Sequence, residues 1–522
     1  MPRSGKTRRI LCNDDGWIMS TPHPLTPEYM WDNMVGTYVD TPIDGFLWSV
    51  GGHDTYSYET DIGERFGEGY DNLDETQQPS VDNLRYLMEH HGGPMEVITG
   101  LCRRAGMEFF PSVRMNEHYD MPESAPQYSH FRRDNPEYLI GKGEDIPGPT
   151  LEWGIRTGLD YAVPAVRSYM ASIAVELVSR WDVDGIELDY MRHPAFFRIE
   201  EGYPNRYLMT DFIAYIRQQM DEIGEAKGKA LDLIVRVPPT LRDCARIGLD
   251  VETWIEEGLV DVVIAGGGFI PFETPIDEFV KAAEGTDVEI YGCLEALRPN
   301  LNELSMRAAA ALYHEQGVSG LYLFNYFRLS QEWKRETLGR LVDGDTLSRL
   351  DKRYEFDKRG RVRPTNQLGF SFQNAIPLTQ LPTALEPTVI GPSTLLTMSI
   401  ADDLEGAKAE GALGECTIGF RLENAGAGDT INVKVNGSAL DANAARRSTD
   451  TWTRTFYGRN HSHDSPMETT DDPEPGTVIE WTVDTPPLQS GKNEIAVWLT
   501  ETDSGREEPL ILADVRVSVT YR

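Results

Sequence analysis

Cysteine is scarce and scattered in this chain: five residues in 522, at positions 12, 102, 244, 293 and 416, with no Cys-x-x-Cys pair. An odd, dispersed set excludes a disulfide framework and a cysteine-ligated structural zinc site. Positive charge is also short. Lys and Arg number 49 against 84 Asp and Glu, a net charge of -35. That balance argues against nucleic acid and anionic membranes as partners, and disfavours a polyanionic substrate. No apolar run approaches the ~20 residues that span a bilayer. Nor does an apolar signal core follow the basic stretch Met1–Arg9, because Ile10-Leu11-Cys12 runs at once into Asn13-Asp14-Asp15. The chain therefore reads as cytoplasmic, or as periplasmic or secreted if a leader has been removed. What it does have is a globular composition, 40% apolar and 10% aromatic, sufficient for sizeable cores in about two or three domains.

Periodicity supplies the architecture. Short strand-like runs occur at Arg9–Cys12, Gly45–Val50, Glu108–Val113, Gly185–Asp189, Leu233–Val237, Val260–Ala265, Glu289–Cys293 and Gly320–Phe324. Helical patterns lie between them, among them Tyr161–Trp181, Tyr207–Ile223, Leu249–Gly258 and Leu304–Gln316. Strands alternating with helices in this number predict an α/β fold, a (β/α)8 TIM barrel over residues 1–350. A doubly wound open sheet would begin with a Gly-rich first turn, which is missing. Residues 351–393 read as a linker, charged at first and then rich in Pro and Thr. From 394 to 522 the helical period disappears and apolar–polar alternation takes over, which predicts an all-β sandwich, one that resembles jelly-roll domains.

The most informative segment is Trp181-Asp182-Val183-Asp184-Gly185-Ile186-Glu187-Leu188-Asp189-Tyr190-Met191-Arg192-His193-Pro194. Alternate side chains of a strand share a face. Glu187 and Asp189 therefore point together into the barrel, where two carboxylates are costly unless the strand tip meets substrate. The competing structural account is a buried carboxylate paired with Arg192. In a barrel, reactive groups gather at the C-terminal strand ends. Collecting those ends gives Trp48 and His53, Arg114, Asn116 and His118, Glu187, Asp189, Tyr190, Arg192 and His193, Arg236, Glu295 and Asn325. Carboxylates, imidazoles and arginines mixed with aromatics suit a carbohydrate, with rings covering the apolar sugar face and polar groups taking hydroxyls. Glycosidic cleavage needs one protonated and one ionised carboxyl across the bond. Asp189 and Glu295, from strands on opposite sides of the mouth, are the expected working pair, with Glu187 tuning Asp189. The remaining ends line the substrate, and Tyr190 and Trp48 are the expected sugar platforms. The set Asp14, His118, Asp189 and Glu295 offers a divalent cation a weaker site, and neither a metal nor a cofactor is expected.

The stretch from Gly158 to Pro194, with Pro164-Ala165-Val166-Arg167-Ser168-Tyr169 leading to Val183-Asp184-Gly185-Ile186-Glu187-Leu188-Asp189, resembles bacterial glycosyl-hydrolase-like barrel families. It is also similar to the chitinase-type signature Asp-Gly-x-Asp-x-Asp-x-Glu. Asp184, Glu187 and Asp189 take acidic positions there, while Met191 stands where that family has its proton-donating Glu. The resemblance implies a glycoside hydrolase of a poly- or oligosaccharide, with the acid role moved from the Met191 position to Asp189 or another strand. Two alternatives stay open: a carbohydrate-binding protein on a barrel that has lost hydrolysis, and a metal-dependent hydrolase or lyase.

Overall fold

The computed structural model describes residues 2–522 except 53, 71–72, 118–123, 149, 192, 267–274, 296–302, 327–329, 358–379, 450–454, 457–466, 469–475, 485–486, 504 and 506; the side chains of residues 52, 295, 357, 455–456 and 467–468 are likewise outside it. Eight strands form its first half: β1 (Ile10–Asp14), β2 (Ile43–Ser49), β3 (Glu108–Arg114), β4 (Gly185–Asp189), β5 (Asp232–Val237), β6 (Val262–Ala265), β7 (Glu289–Glu295) and β8 (Gly320–Phe324). Each pairs in parallel with its sequence neighbours, and β8 returns to β1, so the sheet closes into a barrel. Helices α1 (Pro94–Ala105), α2 (Pro164–Arg180), α3 (Arg206–Lys227), α4 (Glu303–Glu315) and α5 (Gln331–Leu338) belong to the segments that connect or follow these strands. The predicted (β/α)8 barrel is the fold observed.

Alternation sorts the strand side chains into two cores. Leu11, Leu47, Phe110, Ile234, Ile264, Tyr291, Cys293, Tyr322 and Phe324 fill the barrel interior. Their neighbours, including Cys12, Trp48, Ile186 and Leu188, pack outward against the helices. Helix α2 shows why those helices form: Pro164 sits in its first turn, where no N–H is needed, and Val166, Met170, Ile173, Ala174 and Leu177 make one buried stripe. Gly185 opens β4 because the chain passes close to β5. A Cβ there would lie 2.0 Å from the Asp232 carbonyl oxygen.

The N-terminal pole is sealed by ion pairs. Arg8, fully buried, reaches Glu108 at 2.5 Å and Asp232 at 2.6 Å.

The second half is a β-rich domain. One antiparallel sheet contains β9 (Lys352–Asp357), β11 (Leu413–Glu423), β13 (Gly476–Thr482) and β15 (Ile511–Tyr521). The other contains β10 (Thr394–Ile400), β12 (Thr430–Val435) and β14 (Gly491–Glu501), and the two sheets share one apolar core. Residues 352–357 fall in the stretch that reads from sequence as linker, yet they pair with Asp514–Val519 of β15. Tyr354 and Phe356 supply the apolar face that justifies this pairing, while the charges between them masked the strand in the sequence. Ala308 and Leu312 of α4 join the same core, so the barrel is braced on the second domain. Among the described residues no helix is long and apolar enough to cross a membrane.

Candidate active site

Glu187 and Asp189 occupy successive inward positions of β4, and both are buried. Asp189 is gripped from β5: Arg236 Nε donates to Oδ1 and Nη2 to Oδ2, each at 2.9 Å. The backbone N–H of Met191 adds a third bond to Oδ1 at 2.9 Å. The ion-pair partner is thus Arg236, the residue paired with 189 in register, whereas Arg192 lies outside the described residues. Arg236 is itself stacked over the Phe324 ring at 3.9 Å.

Glu187 sits one layer deeper. Tyr322 Oη donates to its Oε1 at 2.7 Å, and Asn13 Nδ2 donates to its Oε2 at 2.8 Å. Burial above all, and then the neighbouring Asp189 carboxylate, push Glu187 up to about 7. Near neutral pH it carries a proton part of the time.

A second charged group caps the mouth. Arg114, at the end of β3, pairs with Glu117 at 2.5 Å and with Asp15 beyond the tip of β1. Asn325, just past β8, donates Nδ2 to Asp15 Oδ2 at 3.4 Å. The side chains of Asp15 and Arg114 keep 21% and 12% of their exposure, so they meet solvent where Asp189 and Arg236 do not. The loops that wall this mouth are braced by a buried ion pair: Arg132 donates Nε to Asp54 Oδ2 at 2.6 Å, and Ser129 Oγ donates to the same oxygen at 3.1 Å. Asp54 follows β2 and Arg132 follows β3, so this pair ties the segment after β2 to the segment after β3.

The sequence-predicted residues divide into groups. Asp189, Glu187, Arg236, Arg114 and Asn325 converge at the mouth. Asn116 is buried, but its amide is spent on backbone: it donates to Leu159 and Ala195 carbonyls at 2.9 and 2.6 Å and accepts from the Leu159 N–H at 2.9 Å. His193 is buried beside the same loop. Trp48 and Tyr190 correct the expectation of sugar platforms. Both are fully buried in the layer between barrel and helices. Trp48 falls on the outward face of β2, and Tyr190 packs edge-on against Phe196 with 5.2 Å between ring centroids. Neither ring has a face to offer a sugar. His53, His118, Arg192 and the Glu295 side chain lie outside the described residues; the Glu295 backbone closes β7, in register with Phe324.

Asp14 points away from the barrel axis, the reverse of Asp189, and its carboxylate accepts from Gly16 N–H at 2.9 Å and Trp17 Nε1 at 3.0 Å. Burial pushes it up to about 7. The sheet therefore separates two members of the four-residue cation set. Among the described residues no group of three or more His, Cys, Asp and Glu side chains is arranged to hold a metal ion. Sequence reasoning overlooked Tyr322, hidden in the apolar run Gly320–Phe324. The signal was available, since Tyr322 shares the inward face with Phe324.

No protein-family model matches the chain, and no curated protein sequence does. Among solved structures it is similar to a cycloisomaltooligosaccharide glucanotransferase from Paenibacillus sp., at 12% identity and a TM-score of 0.32 over 97% of this chain and 57% of that one. It is similar to a GH18 chitinase from Pseudoalteromonas aurantia, at 8% identity and a TM-score of 0.33 over 64% and 97%. An endo-beta-1,4-mannanase from Thermotoga petrophila aligns at 10% identity and a TM-score of 0.41 over 99% of both chains. The chain spans little more than half the length of the first of these. Likenesses this distant decide nothing about chemistry.

Proposed function

We propose that this protein is a glycoside hydrolase that cuts a poly- or oligosaccharide at the C-terminal mouth of its barrel. The observation that carries this reading is the β4 carboxyl pair: Asp189 clamped by Arg236 at 2.9 Å, with Glu187 beneath it pushed up to about 7. Carboxyls kept in unlike electrostatic surroundings are what acid and base roles require. Asp189 and Glu295, from the ends of β4 and β7, supply the working pair across the bond to be cut. Glu187 adjusts the charge that Asp189 presents. Arg114, Arg236 and Asn325 hold the sugar at that bond, and the resemblance of Asp184-Gly185-Ile186-Glu187-Leu188-Asp189 to glycosidase signatures supports the assignment.

Incubating the purified protein with a panel of oligosaccharides, with products separated by chromatography, tests the reading. Shorter sugars are expected, and Glu295→Gln is expected to slow their release by roughly 10²–10⁴-fold. Absence of turnover across the panel contradicts it. One observation favours a second reading, a barrel that binds sugar without cutting it: both Asp189 oxygens are already engaged by Arg236 and the Met191 N–H. Measurable sugar affinity in a protein without turnover is the outcome that would select it.

A further inference from the structure

Among the described residues, the buried polar atoms that have no hydrogen-bond partner include Arg236 Nη1, Asn13 Oδ1 and Asn325 Oδ1 at the mouth. Their side chains are at most 4% exposed. Each is otherwise fixed by a carboxylate. Arg236 gives Nε and Nη2 to Asp189, Asn13 gives Nδ2 to Glu187, and Asn325 gives Nδ2 to Asp15. Facing the Asp15 carboxylate and the ionised form of Glu187, each amide presents its nitrogen, leaving both amide oxygens as acceptors. The two asparagines are tied together by backbone, the Asn325 N–H donating to the Asn13 carbonyl at 3.1 Å. A buried polar atom without a partner costs about 1–3 kcal/mol, and folded chains carry few of them. Such atoms gathered at one strand-end rim call for a ligand.

One donor and two acceptors complement a pair of neighbouring hydroxyls, each giving one hydrogen bond to an amide oxygen and one of them taking a bond from Arg236. A carboxylate would satisfy Arg236 alone and set its charge against both amide oxygens. We infer that Asn13, Asn325 and Arg236 form a subsite for a pair of neutral sugar hydroxyls, so that the site accepts neutral glycans and rejects uronic-acid ones. The inference rests on the glycoside-hydrolase reading and names the substrate class of that same site.

The experiment compares neutral hexose oligosaccharides with uronic-acid oligosaccharides of equal length, by calorimetric binding and by chromatographic turnover on the native protein. At least a 10-fold preference for the neutral series is expected. Asn325 has a left-handed backbone, φ 66°, which glycine adopts without strain. Asn325→Gly therefore removes the amide while preserving the turn, and about 10-fold weaker neutral-sugar binding is expected. Equal or better handling of uronic acids overturns the inference, as does unchanged affinity in Asn325→Gly. If uronic acids are cleaved, the hydrolase reading survives while this subsite fails. If neither series binds or is cleaved, both fall.

Discussion

Arg236 and Asp189 stand side by side on neighbouring strands, in register, and share two parallel 2.9 Å hydrogen bonds in full burial. Removing one member of such a pair strands the other charge in a medium that cannot solvate it. Arg236→Met is therefore expected to cost about 3–5 kcal/mol in urea unfolding. Replacing both, as Arg236→Met with Asp189→Leu, is expected to restore most of that stability and none of the activity. A single variant as stable as the parent would show that the clamp is dispensable.

Glu187 ties stability to pH. Its folded value of about 7 lies above the ordinary 4.5, so between those limits the folded chain holds a proton that the unfolded chain has lost. Its contribution is complete below about pH 4.5 and disappears as pH rises through about 7. Asp14 and Glu59, both raised by burial to about 7, slope the same way. Glu187→Gln removes one of these three contributions and is expected to gain on the parent as pH rises from 4.5 to 8. Asn13 can turn its amide to meet the new Nε2. Denaturant midpoints that track the parent in parallel at every pH would refute this.

Lys334 slopes oppositely. It is buried on α5, donates to Thr37 Oγ1 at 2.8 Å and lies 4.0 Å over the Tyr38 ring. Burial pushes it down to about 7 from 10.5. Below pH 10.5 the unfolded lysine gains a proton that the folded one refuses until about pH 7, so the burden on folding grows across that window and levels off below it. Lys334→Met is expected to stabilise by about 1–4 kcal/mol at pH 7, with the gain shrinking towards pH 10.5. Thermal melts at pH 7 and pH 10 check the sign.

The Asp54–Arg132 pair should govern the rim loops rather than the barrel. Asp54→Ala leaves Arg132 unpaired, and limited proteolysis is expected to nick the segments 51–66 and 124–160 at least ~10-fold faster, about the factor that 1.4 kcal/mol represents. Cleavage confined to the β-rich domain would contradict the brace.

Much of this molecule was legible in the residues themselves. The eight barrel strands announce themselves because parallel strands are buried on both faces and read as short apolar runs. Alternation in Gly185–Asp189 was enough to aim Glu187 and Asp189 inward. The same rule, carried to residue 48 or 190, would have turned Trp48 and Tyr190 outward, but an aromatic near a strand end looks equally like a sugar platform until its parity is counted. Asn116 failed for another reason: nothing local reveals that an amide is committed to the carbonyls of residues 159 and 195, far along the chain. Strand β9 was hidden because Lys352, Arg353, Glu355 and Asp357 outnumber its two apolar residues, and the partners that neutralise them, such as Asp402 at 2.7 Å from Lys352, come from elsewhere.

The most direct trial of the central claim is the digestion of one neutral oligosaccharide by the native protein and by Asp189→Asn in parallel, with circular dichroism to verify the variant's fold. The native protein is expected to release shorter sugars and the folded variant to release essentially none. Equal product from Asp189→Asn, or none from the native protein, would contradict the assignment of β4 as the seat of cleavage.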